Sequence, residues 1–154
     1  MNISRAKMFK SFPFGRKKNT TKPFIDFYNN WINTLSTTLL PQLRRVLSSF
    51  SVSPALLSAH VDGMHHHFHS YYLALDATAA SDVAQCLYPE WRNAVEKPFL
   101  WLGDLHPYLF TDLLQSVTMV YQAALFFEAV AQFLVGIRDS KLLKEFEDCE
   151  KAIN

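Results

Sequence analysis

From Phe24 to Leu47 the apolar residues Phe24, Phe27, Trp31, Leu35, Leu39, Leu43, Val46 and Leu47 recur at three- and four-residue steps. That spacing puts them on one face of an α-helix. Thr21 suits the N-cap of this helix and Pro23 its first turn, and Arg44-Arg45 near its end complement the dipole. Pro41 removes a backbone donor and clashes one turn back, so it should bend or divide the helix. SVSPALL opens a second helix, with Ser53 as cap and Pro54 behind it. Its apolar face is Leu57, Val61, Met64, Phe68, Tyr72 and Leu75. Ser81-Asp82 starts a short helix, Val83 to Tyr88, which Pro89 closes.

Trp91 to Ser116 holds two tryptophans, and each buried aromatic removes roughly 150–250 Å² from water. Pro98 ends a helix-like run from Trp91 to Lys97, because the residue before a proline is pushed out of the α region. Arg92 and Glu96 in that run are spaced as a surface i,i+4 pair, contributing tenths of a kcal/mol. Gly103-Asp104 suits a tight corner, with Phe99, Leu100, Trp101 and Leu102 plugged into the core, and Pro107 can open the next helix. Val117 to Ile137 is almost wholly apolar and reaches the length of a membrane span. Glu128 at its centre would cost about 2.5–3.5 kcal/mol on insertion scales. A buried core helix explains it better, with a spanning helix and an exposed partner-seeking face as the other readings. Arg138 to Asn154 is charged, with Leu142, Leu143, Phe146 and Ile153 as its main apolar residues, and reads as an amphipathic helix or frayed tail.

The pattern therefore predicts an all-α fold, an antiparallel helical bundle with a disordered basic N-terminal arm. Its parts are the arm 1–21, a helical domain 22–137 and a charged C-terminal segment 138–154. At 154 residues one domain is expected. Two cysteines without CxxC spacing, Cys86 and Cys149, suit a reducing cytosol or nucleus. Asn2 stands where N-myristoylation needs glycine, and a secretory h-region is missing.

The net charge of +1 hides an asymmetry. Residues 1–25 hold seven basic residues and no acid, whereas the remainder has eight basic and 14 acidic residues. In the arm, Arg5, Lys7, Lys10, Arg16, Lys17 and Lys18 are interleaved with Phe9, Phe12 and Phe14. Three readings fit: a solvated leader, a peripheral arm on an anionic membrane surface, or a short nuclear-localisation or nucleic-acid patch. The aromatics among the charges favour the membrane.

Five histidines lie on the second helix, and His65 and His69, four residues apart, could share a metal ion. HHHFH lacks a full zinc ligand set, so no metal is assigned. Exposed or core-edge histidines, a haem-ligating role and a pH-responsive face are the readings of this run. Cys149 amid acids is not expected to be a nucleophile. GxSxG, P-loop, GxGxxG and HExxH motifs are all missing, and four glycines leave little for phosphate-cradling loops. Asp104 and His106 read as corner capping, and Asp112 as a solvated side chain. Enzymatic activity is not expected.

FLWLG followed by HPYLF resembles the signature of the plant delay-of-germination domain family, and YPEWRNAVEKPFLWLGDLHPYLF resembles its inaperturate-pollen branch. PFIDFYNNWINTLSTTLLPQL and SPALLSAHVDGMHHHFHSYYLALD match further. The likeness runs from about Lys22 to Ser116, with Trp31, Trp91, Trp101, Gly103, His106 and Pro107 as signature positions. The family usually continues through further helices, which implies a truncated or alternatively spliced form. The resemblance implies a non-enzymatic scaffold in pollen aperture formation, marking plasma-membrane domains that escape exine deposition. That role carries a protein partner and peripheral attachment from the cytoplasm. The alternative it implies is a soluble or nuclear regulator like the seed-dormancy proteins, with a response to haem through the His60–His69 region. DNA-binding members use an upstream zipper and basic region that this chain lacks, so direct DNA binding is not implied.

Overall fold

A computed structural model describes residues 22–51, 53–87, 89–97, 112, 116 and 118–153, in helices, turns and short connecting loops with no strand among them. Six α-helices are described: α1 Lys22–Thr34, α2 Leu40–Leu47, α3 Pro54–Ala79, α4 Val83–Leu87, α5 Val120–Gly136 and α6 Ser140–Ile153. Between α1 and α2 the helix continues for five residues as a wider π turn, Leu35–Leu39. This is how the chain answers Pro41. A proline cannot donate to the carbonyl four residues back, and its ring would strike it. The turn ahead of Pro41 widens, so that the Leu40 amide donates to the Leu35 carbonyl, and helical turns continue from Lys22 to Leu47.

The core lies where α1–α2, α3 and α5 meet. Tyr28, Trp31, Ile32, Leu35, Leu40 and Leu43 face Leu57, Val61, Met64 and Phe68 of α3 and Ala123, Ala124, Phe127 and Ala131 of α5. Phe24 lies near Tyr71, Trp31 meets Phe68 edge to face, Arg44 reaches Glu128, and Arg138 lies over Tyr28. Both α3 and α5 therefore run antiparallel to α1–α2. Tyr28, Ile32 and Leu40 extend the buried face beyond the stripe read from spacing alone. Phe27, Leu39, Val46 and Leu47 sit at its half-buried edge.

Two local expectations change. The run from Trp91 is not a continuous helix: Arg92 N donates to Pro89 O at 3.2 Å, the chain passes through turns to Glu96, and a single helical bond, Lys97 N to Asn93 O at 3.3 Å, closes it. The cause is a capping box inside the run. Asn93 Oδ1 accepts from Glu96 N at 2.8 Å and Glu96 Oε2 accepts from Asn93 N at 3.2 Å, so Asn93 opens a new turn rather than continuing an old one. The apolar helix α5 is buried on one side only. Small side chains at Ala123, Ala124 and Ala131 let its backbone approach the core, while Tyr121, Leu125 and Phe133 are exposed. No single described helix is long and apolar enough to cross a membrane. Asp139 Oδ1 accepts from the Lys141 and Leu142 amides at 2.9 and 3.1 Å, capping α6 and bending the chain away from α5 by 59°.

Candidate functional site

Charged side chains are seldom fully buried unless paired, so Arg92 and Glu96, 8% and 2% exposed, mark a built cluster. Reading them as a surface pair is wrong. The capping box aims the Glu96 carboxylate inward, where Oε1 accepts from the Tyr28 hydroxyl and from Arg138 Nη1, each at 2.8 Å. Arg92 Nη1 stands 4.0 Å from the same oxygen, and Arg92 Nη2 donates to the Tyr71 hydroxyl at 2.8 Å. The Arg92 guanidinium lies over the Tyr28 ring at 3.6 Å and the Trp91 ring at 4.8 Å, a cation–π box. The carboxylate thus ties α1 and the α5–α6 junction to the 89–97 turns, and Arg92 extends the tie to α3. Trp91 Nε1 and Arg92 Nε are buried without a partner among the described residues.

Burial pushes the Tyr28 hydroxyl far above the usual phenol value, against the lowering effect of Arg92. Burial raises Tyr71 likewise. For Arg138 burial opposes the charge, but the hydrogen bond and the charge of Glu96 outweigh it and raise its basicity further. Both tyrosines stay protonated donors or acceptors within the cluster and are unsuited to proton transfer near neutrality.

The second polar feature is the histidine run of α3. His67 lies flat on Trp31, ring centroids 4.7 Å apart at 5°. Trp31 Nε1 donates to His67 O at 2.8 Å, and His67 Nε2 donates to Trp31 O at 3.0 Å. A carbonyl only accepts, so the neutral ring carries its proton on Nε2. Burial lowers the basicity of His67 below its ordinary value of 6.5, more than the Trp31 carbonyl raises it. The unfolded chain therefore takes up this proton first, and stability falls as pH drops through about 6.5. The expected result is a urea midpoint that declines from pH 7 to 5, with a shallower decline in His67→Gln. A variant with the same slope would remove His67 as the cause.

His65 and His69 rings lie 6.4 Å apart, but His65 Nε2 is engaged by Asp112 Oδ1 at 2.7 Å. Asp112, read as simply solvated, is thus the partner of a histidine 47 residues away. No group of three or more potential metal ligands converges among the described residues. Cys86 is half-buried, and burial, then Asp82 and Asp76, raise its thiol. A shallow groove of about 500 Å³ runs between α1 and the α5–α6 junction. Its ionisable groups, Arg138 and Asp139, already serve Glu96 and the α6 cap.

Of the signature positions, Trp31 and Trp91 meet at the cluster through Tyr28, which lies 6.1 Å from the first ring and 5.3 Å from the second. Trp101, Gly103, His106 and Pro107 lie outside the described residues, as do Arg5, Lys7, Phe9, Lys10, Phe12, Phe14, Arg16, Lys17 and Lys18. Sequence reasoning missed Glu96 as a hub. The signal was there in the N-x-x-E spacing of Asn93 and Glu96, a capping-box pattern that turns the glutamate back onto the chain.

The profile of the family described as seed dormancy control (DOG1) matches residues 39–116. Protein INAPERTURATE POLLEN1 of Arabidopsis thaliana is 45% identical over 106 residues, 68% of this chain and 38% of that protein. The Protein INAPERTURATE POLLEN 1 homolog of Oryza sativa subsp. japonica is 44% identical over 103 residues, 63% of this chain and 44% of that protein. The chain thus spans less than half the length of these relatives. Neither is named as an enzyme. No solved structure matches.

Proposed function

We propose, from the premise that this chain belongs to the seed dormancy control (DOG1) family, that it acts in pollen aperture formation as a non-enzymatic scaffold. The observation that carries this reading is the likeness to the two inaperturate-pollen proteins. The geometry supports it from the other side. The converging ionisable groups Arg92, Glu96 and Arg138 engage one another and two tyrosine hydroxyls, as suits a clamp between helices rather than a cleft that turns over substrate. The exposed apolar residues of α5 and α6 offer the body a protein partner.

In this mechanism residues 1–21 attach the chain to the cytoplasmic face of the plasma membrane. Each cation near an anionic leaflet adds about 1 kcal/mol, and the phenylalanines add apolar anchoring. The body then marks membrane domains that escape exine deposition. Sedimentation with phosphatidylserine vesicles tests the attachment. The full chain is expected to bind, more weakly as salt rises, and a chain lacking Met1–Thr21 is expected to stay in solution. Equal binding by both would remove the arm from the mechanism. A fluorescent fusion in developing microspores tests the function: peripheral puncta support the scaffold, and a nuclear signal would favour a dormancy-type regulator.

A further inference from the structure

Helix α6 is the element least covered by the body. None of its residues with a described side chain is buried, and Leu142 and Phe146 are 41% and 43% exposed. At about 100° per residue, Leu142, Phe146 and Cys149 fall in one stripe with half-buried Leu143 beside it. Glu145 stands three residues after Leu142 and four before Cys149, on the edge of that stripe. Lys141, four residues before Glu145, and Asp148 lie on that same side, Glu147 follows Leu143 by four residues on the other side, and Lys144 and Lys151 lie about half a turn away. The flanks of the apolar stripe therefore hold three acids, Glu145, Glu147 and Asp148, against one cation, Lys141. A fitting occupant is apolar and cationic at once.

The chain itself contains such a segment. Residues 1–21 carry Arg5, Lys7, Lys10, Arg16, Lys17 and Lys18 among Met8, Phe9, Phe12 and Phe14, with no acid. Helix α1, which follows directly, passes beside the base of α6: the Arg138 guanidinium lies 5.3 Å from the Tyr28 ring, and Ile32 and Ser36 share a groove with Asp139 and Ser140. An extended 21-residue segment reaches up to about 70 Å, against about 21 Å for the whole of α6.

We propose that residues 1–21 dock in cis on the acid-rimmed apolar stripe of α6, phenylalanines on Leu142 and Phe146 and cations toward Glu145. The proposal rests on reading the arm as the membrane-attaching element and adds its regulation. The residues that would meet lipid are held by α6 until an anionic surface competes for them. Cys149, exposed on the stripe, provides the reporter.

The test places a nitroxide on Cys149 in a Cys86→Ser full-length chain and reads the amide signals of residues 5–18 at low ionic strength, without lipid. The expected result is a loss of signal at least twofold greater than in the same chain carrying Glu145→Lys and Phe146→Ser, both surface positions. Replacing Phe9, Phe12 and Phe14 by serine should restore the signals equally. Equal signals across these chains would overturn the docking. So would broadening that appears only when nitroxide-bearing chain is mixed with isotopically labelled unmodified chain, because the occupant would then be a second copy's arm. Vesicle binding is measured separately, so docking can fail while membrane attachment stands, and the reverse.

Discussion

Glu96→Ala is expected to destabilise the protein by about 3–5 kcal/mol, the range for removing one partner of a buried ion pair. The substitution strands Arg92, 8% exposed, without its carboxylate, and it removes the acceptor of the Tyr28 hydroxyl and of Arg138. It also opens the capping box with Asn93. Urea unfolding of the full chain measures the loss. Arg44→Ala serves as the comparison, because its 2.8 Å pair with Glu128 is solvent-exposed and should contribute at most about 1 kcal/mol. A surface i,i+4 pair would make Glu96→Ala no worse than Arg44→Ala. A loss under about 1 kcal/mol would thus contradict the cluster described above.

Phe127→Ala is expected to cost about 3–5 kcal/mol as well, by the separate route of an unfilled cavity. Phe127 is 1% exposed, its ring 5.7 Å from Phe68, and it holds α5 against α3. Phe133, on the same helix and 44% exposed, provides the contrast: Phe133→Ser should change stability within about 0.5 kcal/mol. If α5 were buried all round, both substitutions would be severe. Similar losses at the two positions would overturn the one-sided helix. Among the described residues the Glu96 cluster (Tyr28, Tyr71, Arg92, Arg138) hydrogen-bonds within itself while Phe127 packs on Phe68, so the two large effects should add in the double variant.

Much of the helical order was legible without coordinates. The stripe from Phe24 to Leu43, the start of α3 at Pro54 and the closing of α4 before Pro89 follow from periodicity and proline chemistry, which act over one or two turns. The candidate site was far less legible. His65 meets Asp112 across 47 residues, and Tyr28 meets Glu96 across 68, separations at which no local pattern carries information. Glu96 looked like an exposed partner of Arg92 because i,i+4 spacing presumes a helix, and the capping box at Asn93 replaced that helix with turns.

By itself the sequence determined that the chain is helical, where several helices begin, and to which family it belongs, since these rest on near neighbours and on a long aromatic signature. Only the tertiary structure decided which side of α5 is dry and which charges are sheltered. Burial is a property of what packs opposite a residue, and here the opposing surfaces come from segments tens of residues away.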